Sequence, residues 1–170
     1  MTSPLEGRAL VVLHELEASL GCYDVASGRR LFHLPTADFP HELCLSPDRR
    51  RLYVTEYGVR GVESEGEGGN TVAVFDLRAR ARVGTLSTGK HRRPHGVAAD
   101  SGGRLYVTSE PRRTLLIFRL EDQSLFHVVD VEQEMPHLVA VSPDGRTAVT
   151  ANIGSGSLTA VDVMMGVVLR

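Results

Sequence analysis

The chain has 170 residues and a hydrophobic fraction of 42%, enough apolar material for a compact core. Its formal net charge of −2 argues against a surface built to track phosphates, so no nucleic-acid partner is expected. No apolar run approaches the length of a membrane span, and the opening MTSPLEGR lacks the basic, apolar, small-residue order of a signal peptide. The expectation is a cytoplasmic protein with no membrane partner, holding Cys22 and Cys44 as reduced, buried thiols, since their spacing fits no disulfide or metal pattern.

In chain order, residues 1–39 hold three predicted strands, Ala9–His14, Ser19–Val25 and Arg30–Leu34. Residues 40–93 open on Pro40-His41 and hold four, His41–Ser46, Arg51–Glu56, Thr71–Leu77 and Arg82–Ser87. Residues 94–135 repeat the pattern from Pro94-His95 with His95–Ala99, Arg104–Ser109, Thr114–Leu120 and Ser124–Val131. Residues 136–170 repeat it from Pro136-His137 with His137–Ser142, Arg146–Ala151, Ser157–Val163 and Gly166–Leu169. The runs alternate, or are short and β-branched, and are bounded by Gly, Pro, Asp and Ser. A helical repeat would instead space its apolar residues by three and four.

The three histidines stand 54 and 42 residues apart, and the excess falls in segment 57–69, YGVRGVESEGEGG. Its Gly and Glu content excludes a strand interior, and its Glu-Gly run at 63–69 predicts a mobile surface excursion. Without it the period is near 42, the length of a four-stranded propeller blade. The predicted fold is therefore an all-β propeller of nearly four antiparallel blades, the first lacking its innermost strand. Seven such units need far more chain, so the expected whole is a seven-bladed ring closed by further blades after Arg170, the alternatives being a small four-bladed ring or closure by a second copy.

At Arg51-Leu52-Tyr53-Val54-Thr55, Asn70-Thr71-Val72-Ala73-Val74-Phe75-Asp76 and Gly103-Arg104-Leu105-Tyr106-Val107-Thr108, with the Pro-His and Ser-Pro-Asp signatures, the chain resembles the YVTN-repeat β-propellers. These stand close to the seven-bladed lactonase-like proteins. The Asn that ends the family's motif is replaced by Glu56, Ser109 and Ala151. The resemblance implies the fold and several functions: lactone hydrolysis, a dehydrogenase subunit, or binding without catalysis.

Strand polarity places the three histidines at one end of the ring, beside the axial channel. The loops that follow each second strand share that end, as do those that lead into each first strand, bringing segment 57–69, Arg92, Arg93, Glu110, Arg112, Arg113 and Asn152 there. Channel mouths are concave sites on a rigid frame, so this end is the expected binding face. The leading expectation is a binding propeller that takes a small molecule or a protein partner through His41, His95, His137, Arg93, Arg113 and Asn152. A simpler reading makes the histidines repeated backbone partners of a duplicated strand. The alternative of another class is a hydrolase of a sugar lactone or related anionic ester. There Glu56 and His95 would activate water while Arg93 or Arg113 holds the anion. Glu56 is preferred to Glu110, which precedes Pro111 and reads as a solvated loop end. A second alternative is an enzyme with a divalent metal ion on His41, His95 and His137; no other cofactor is expected. His14-Glu15 and His41-Glu42 begin like a zinc-protease helix but lack its second histidine.

Overall fold

A computed structural model describes residues 8–169, so nearly all of MTSPLEGR, and Arg170, lie outside the described residues. The strands form four antiparallel sheets that succeed one another along the chain. The first contains β1 (Ala9–His14), β2 (Ser19–Asp24) and β3 (Arg30–Pro35). The second contains β4 (Pro40–Leu45), β5 (Arg51–Glu56), β6 (Thr71–Asp76) and β7 (Ala81–Ser87). The third contains β8 (Pro94–Ala99), β9 (Arg104–Ser109), β10 (Thr114–Arg119) and β11 (Leu125–Asp130). The fourth contains β12 (Pro136–Val141), β13 (Thr147–Asn152), β14 (Ser157–Asp162) and β15 (Val167–Val168). Each sheet is a meander, three with four strands and the first with three. This is the all-β, blade-built architecture expected of a propeller, and no ring closes among the described residues.

Side-chain oxygens fix the turns between first and second strands. The Ser46 hydroxyl donates to Asp48 Oδ1 at 2.6 Å and accepts the Arg51 N–H at 2.9 Å. Ser142 repeats both bonds with Asp144 and Thr147, at 2.6 and 3.0 Å. In the third blade Asp100 accepts the Arg104 N–H directly at 2.9 Å. Such bonds substitute for the ladder where the chain reverses.

The blades pack face to face, and each second strand alternates between two neighbours. Leu52 and Val54 meet Leu20, Val11 and Phe32 of the first blade, while Tyr53 meets Val97, Leu105 and Val107 of the third. Tyr106 turns the other way, onto Ala148, Val161 and Val139 of the fourth. The apolar core is thus three parallel seams rather than one centre. The first strands β4, β8 and β12 lie side by side.

Two features set the histidines. Each first strand carries an extra residue just after its proline, as the pairing passes from Pro40↔Glu56 to Leu43↔Val54, from Pro94↔Ser109 to Val97↔Val107, and from Pro136↔Asn152 to Leu138↔Ala151. A bulge re-aims its side chain, and the histidine occupies it every time. A threonine then links adjacent blades. Thr55 accepts the Glu42 N–H at 3.0 Å and donates to the His95 carbonyl at 2.8 Å. Thr108 accepts the Gly96 N–H at 2.8 Å and donates to the His137 carbonyl at 2.9 Å. Blades three and four come so close that a Cβ on Gly96 would stand 2.5 Å from the His137 carbonyl oxygen.

Candidate functional site

The bulges bring the three imidazoles into one cluster. His41 Nδ1 lies 3.0 Å from His95 Nε2, and the His95 and His137 rings pack with centroids 3.7 Å apart. Tyr57 stacks on His41 at 4.3 Å between centroids and meets His95 edge-on at 5.6 Å. The Tyr57 hydroxyl donates to Glu110 Oε2, and Glu110 Oε1 lies 2.6 Å from His137 Nδ1. Glu15 Oε1 stands 3.7 Å from His41 Nε2.

A simple rule underlies these contacts. Glu15, Tyr57 and Glu110 are each the first residue after a second strand, and each reaches the histidine of the following blade. Glu15 and Glu110 begin short 3-10 turns that hold them there. Glu110, expected to be a solvated loop end, is 3% exposed and belongs to the cluster.

Burial dominates the electrostatics. His95 is 5% exposed, and desolvation, then the neighbouring His137 and His41, push its pKa down to about 3. Burial also lowers His41, with Glu15 and Glu110 pulling the other way. Desolvation and the Glu110 carboxylate raise the Tyr57 phenol. Both imidazoles are therefore neutral at pH 7, yet His95 Nδ1 and His41 Nε2 are buried without a hydrogen-bond partner. An orphaned buried polar atom costs roughly 1–3 kcal/mol.

Of the other predicted site residues, Glu56, Arg113 and Asn152 stand apart from this cluster, and Arg93 touches it through Tyr57. Glu56 is 1% exposed, and its carboxylate accepts from Ala37 N–H at 2.7 Å, from the Thr71 hydroxyl at 2.6 Å and from two Arg82 nitrogens at 2.7 and 3.0 Å. It tethers its own blade, and neither oxygen is left for water. The Arg93 guanidinium donates to the carbonyls of Val62, Ser64 and Gly66 at 2.7–2.8 Å and lies over the Tyr57 ring. Residues 63–69, expected to be mobile, are held by the Arg93 bonds to Ser64 and Gly66 and by Arg92 on Glu67 at 3.0 Å. Arg113 pairs with Glu134 and Asp130 at the surface. Asn152 is buried against Thr150, Ser157 and Thr159. Tyr57 and Glu15 were not among the predicted site residues; their signal is the position immediately after each second strand.

No family model matches the chain. A curated relative, Antigen Lp49 of Leptospira interrogans, is 23% identical over 107 residues, covering 63% of this chain and 22% of its own length. Among solved structures, Kuenenia stuttgartiensis hydrazine synthase superposes with a TM-score of 0.79 at 20% identity, over 95% of this chain and 45% of that one. U3-55K follows at 0.76 and 17%, over 99% and 49%. A protein of unknown function from Desulfotomaculum acetoxidans gives 0.75 and 14%, over 95% and 51%. The chain thus spans about half the length of the solved structures it matches, and a smaller part of the curated relative. The likeness is one of fold: the four sheets are blades of a β-propeller.

Proposed function

We propose that the chain is a binding propeller of the YVTN, lactonase-like kind, taking a small molecule or a partner's segment at the channel mouth where the Pro-His strands begin. One observation carries this reading: three blades each deliver an imidazole to one cluster, and two buried ring nitrogens there lack partners. A scaffold role alone would need the histidine carbonyls, which the threonines already hold, and not the rings. The hydrolytic alternative has less support, because Glu56 is fully engaged by Arg82, Thr71 and Ala37. The reading includes a reducing, cytoplasmic setting, which the unpaired Cys22 and Cys44 favour. Among the described residues no helix is long and apolar enough to cross a membrane.

The test is a thermal-shift screen with sugar lactones, sugar acids, phosphosugars and short peptides on the chain and on His41→Asn. Compounds that raise the melting temperature of the parent should lose their effect on the variant. A screen with no hits, or hits that respond only to Arg50→Ala at the far end, would overturn the reading.

A further inference from the structure

We propose that the mouth holds a transition-metal site, built from His95, Glu110 and His137, that binds Zn2+ or Co2+ with one coordination position left open to the channel. This goes beyond the binding reading above and does not depend on it, since an ion can occupy the mouth whether or not an organic ligand follows.

The ligand atoms of these three residues lie within 4.8 Å of one another. Ligands around a tetrahedral zinc ion, bound at about 2.0–2.2 Å, stand roughly 3.3 Å apart, so small side-chain movements close the set. His137 is free to make them, being partly open to the channel with 29% of its side chain exposed. The second alternative read from the sequence placed an ion on three histidines. His41 is not part of the converging set, and Glu110 takes its place.

The donor types choose the metal. Two imidazoles and one carboxylate suit zinc and cobalt, whereas magnesium and calcium require oxygen ligands. One carboxylate leaves a net positive site, which retains water or an anionic group in the open position.

A supporting layer is already present around the three. Tyr57 binds Glu110 through Oε2, which leaves Oε1 facing His137, and an ion between them would replace that hydrogen bond. Of the two His95 nitrogens, Nε2 faces His41 Nδ1 and Nδ1 has no partner. A ligating imidazole normally gives its second N–H to a neighbour, as His95 can to His41 when protonated on Nε2. His41 and Tyr57 are therefore positioning residues for the ion, stacked on each other and each braced against a ligand.

The test uses the full chain after chelator treatment, titrated with Zn2+ alone by calorimetry and with Co2+ alone by visible absorption. One ion per chain is expected, with the strong visible bands of low-symmetry cobalt. Glu110→Gln and His137→Asn should each weaken binding at least tenfold, and Tyr57→Phe by about tenfold with altered cobalt bands. His33→Asn, on an exposed strand, should change nothing. His137→Asn lies at the open rim, so it keeps the test decisive if the buried Glu110 variant fails to fold by circular dichroism. Absence of a stoichiometric ion, affinities unchanged by His137→Asn, or loss of binding in His33→Asn would overturn the proposal.

Discussion

Glu56 and Tyr57 are consecutive residues that face opposite ways, and that one step decides which of them belongs to the mouth. Glu56 ends β5 with its carboxylate against Arg82 of β7, while Tyr57 enters the histidine cluster. Glu56→Gln keeps the shape but loses the charge and half the acceptors. It should lower stability by about 2 kcal/mol, below the 3–5 kcal/mol of a fully buried pair because Arg82 reaches solvent. Urea denaturation would measure that loss, and ligand or metal binding at the mouth should be unchanged. The sequence reading joined Glu56 to His95, whereas its carboxylate turns to Arg82, and the difference has a physical cause. Alternation tells inside from outside only when one face of a strand is wet. In β5 the residues Leu52 to Glu56 are all buried, lying between two other blades, so the period of two leaves no polar trace. Glu110 was obscured for a different reason: Pro111 suggested an exposed loop, whereas it opens a short 3-10 turn that aims the carboxylate inward.

Strands and turns were far more legible than the site, because their signals are local. Ser-Pro-Asp and the Gly-containing reversals carry their own hydrogen-bonding groups, and the Pro-His starts recur in register. What could not be read was the extra residue in each first strand, which appears only when two strands are laid side by side. Comparing the repeated turns gives a prediction at this scale. Arg49 adopts φ 56° at the position where the other two turns have Gly103 at 80° and Gly145 at 67°. A side chain there costs about 1 kcal/mol, so Arg49→Gly should stabilise the chain by about that amount, less the added freedom of the unfolded state. A higher urea midpoint with an unchanged slope would confirm it, and a lower midpoint would show that Arg49 makes a compensating contact.

At the scale of the molecule, the two flanks differ. The outward face of the fourth blade presents Leu138, Ala140, Val149, Ala151, Leu158 and Ala160, opposite the face that packs on the third blade. Leu158 is 73% exposed at the middle of this stripe. The first blade instead turns His14, Tyr23 and His33 outward, with Tyr23 bonded to His14 at 3.0 Å. An apolar stripe of this kind associates. In sedimentation the chain should self-associate with rising concentration, and Leu158→Glu should weaken this at least tenfold; a parent chain that stays monomeric would refute the expectation.

The threonine hydroxyls shared between blades have a consequence for how such a protein can change. Because Thr55 seats the backbone of His95, and Thr108 that of His137, a ring's place at the mouth is inherited from the blade upstream. A single blade transplanted from another propeller would carry its own imidazole but not the seat that aims it. Copies of the unit are free to drift in their loops and outer strands, while these two positions can only change together across a boundary.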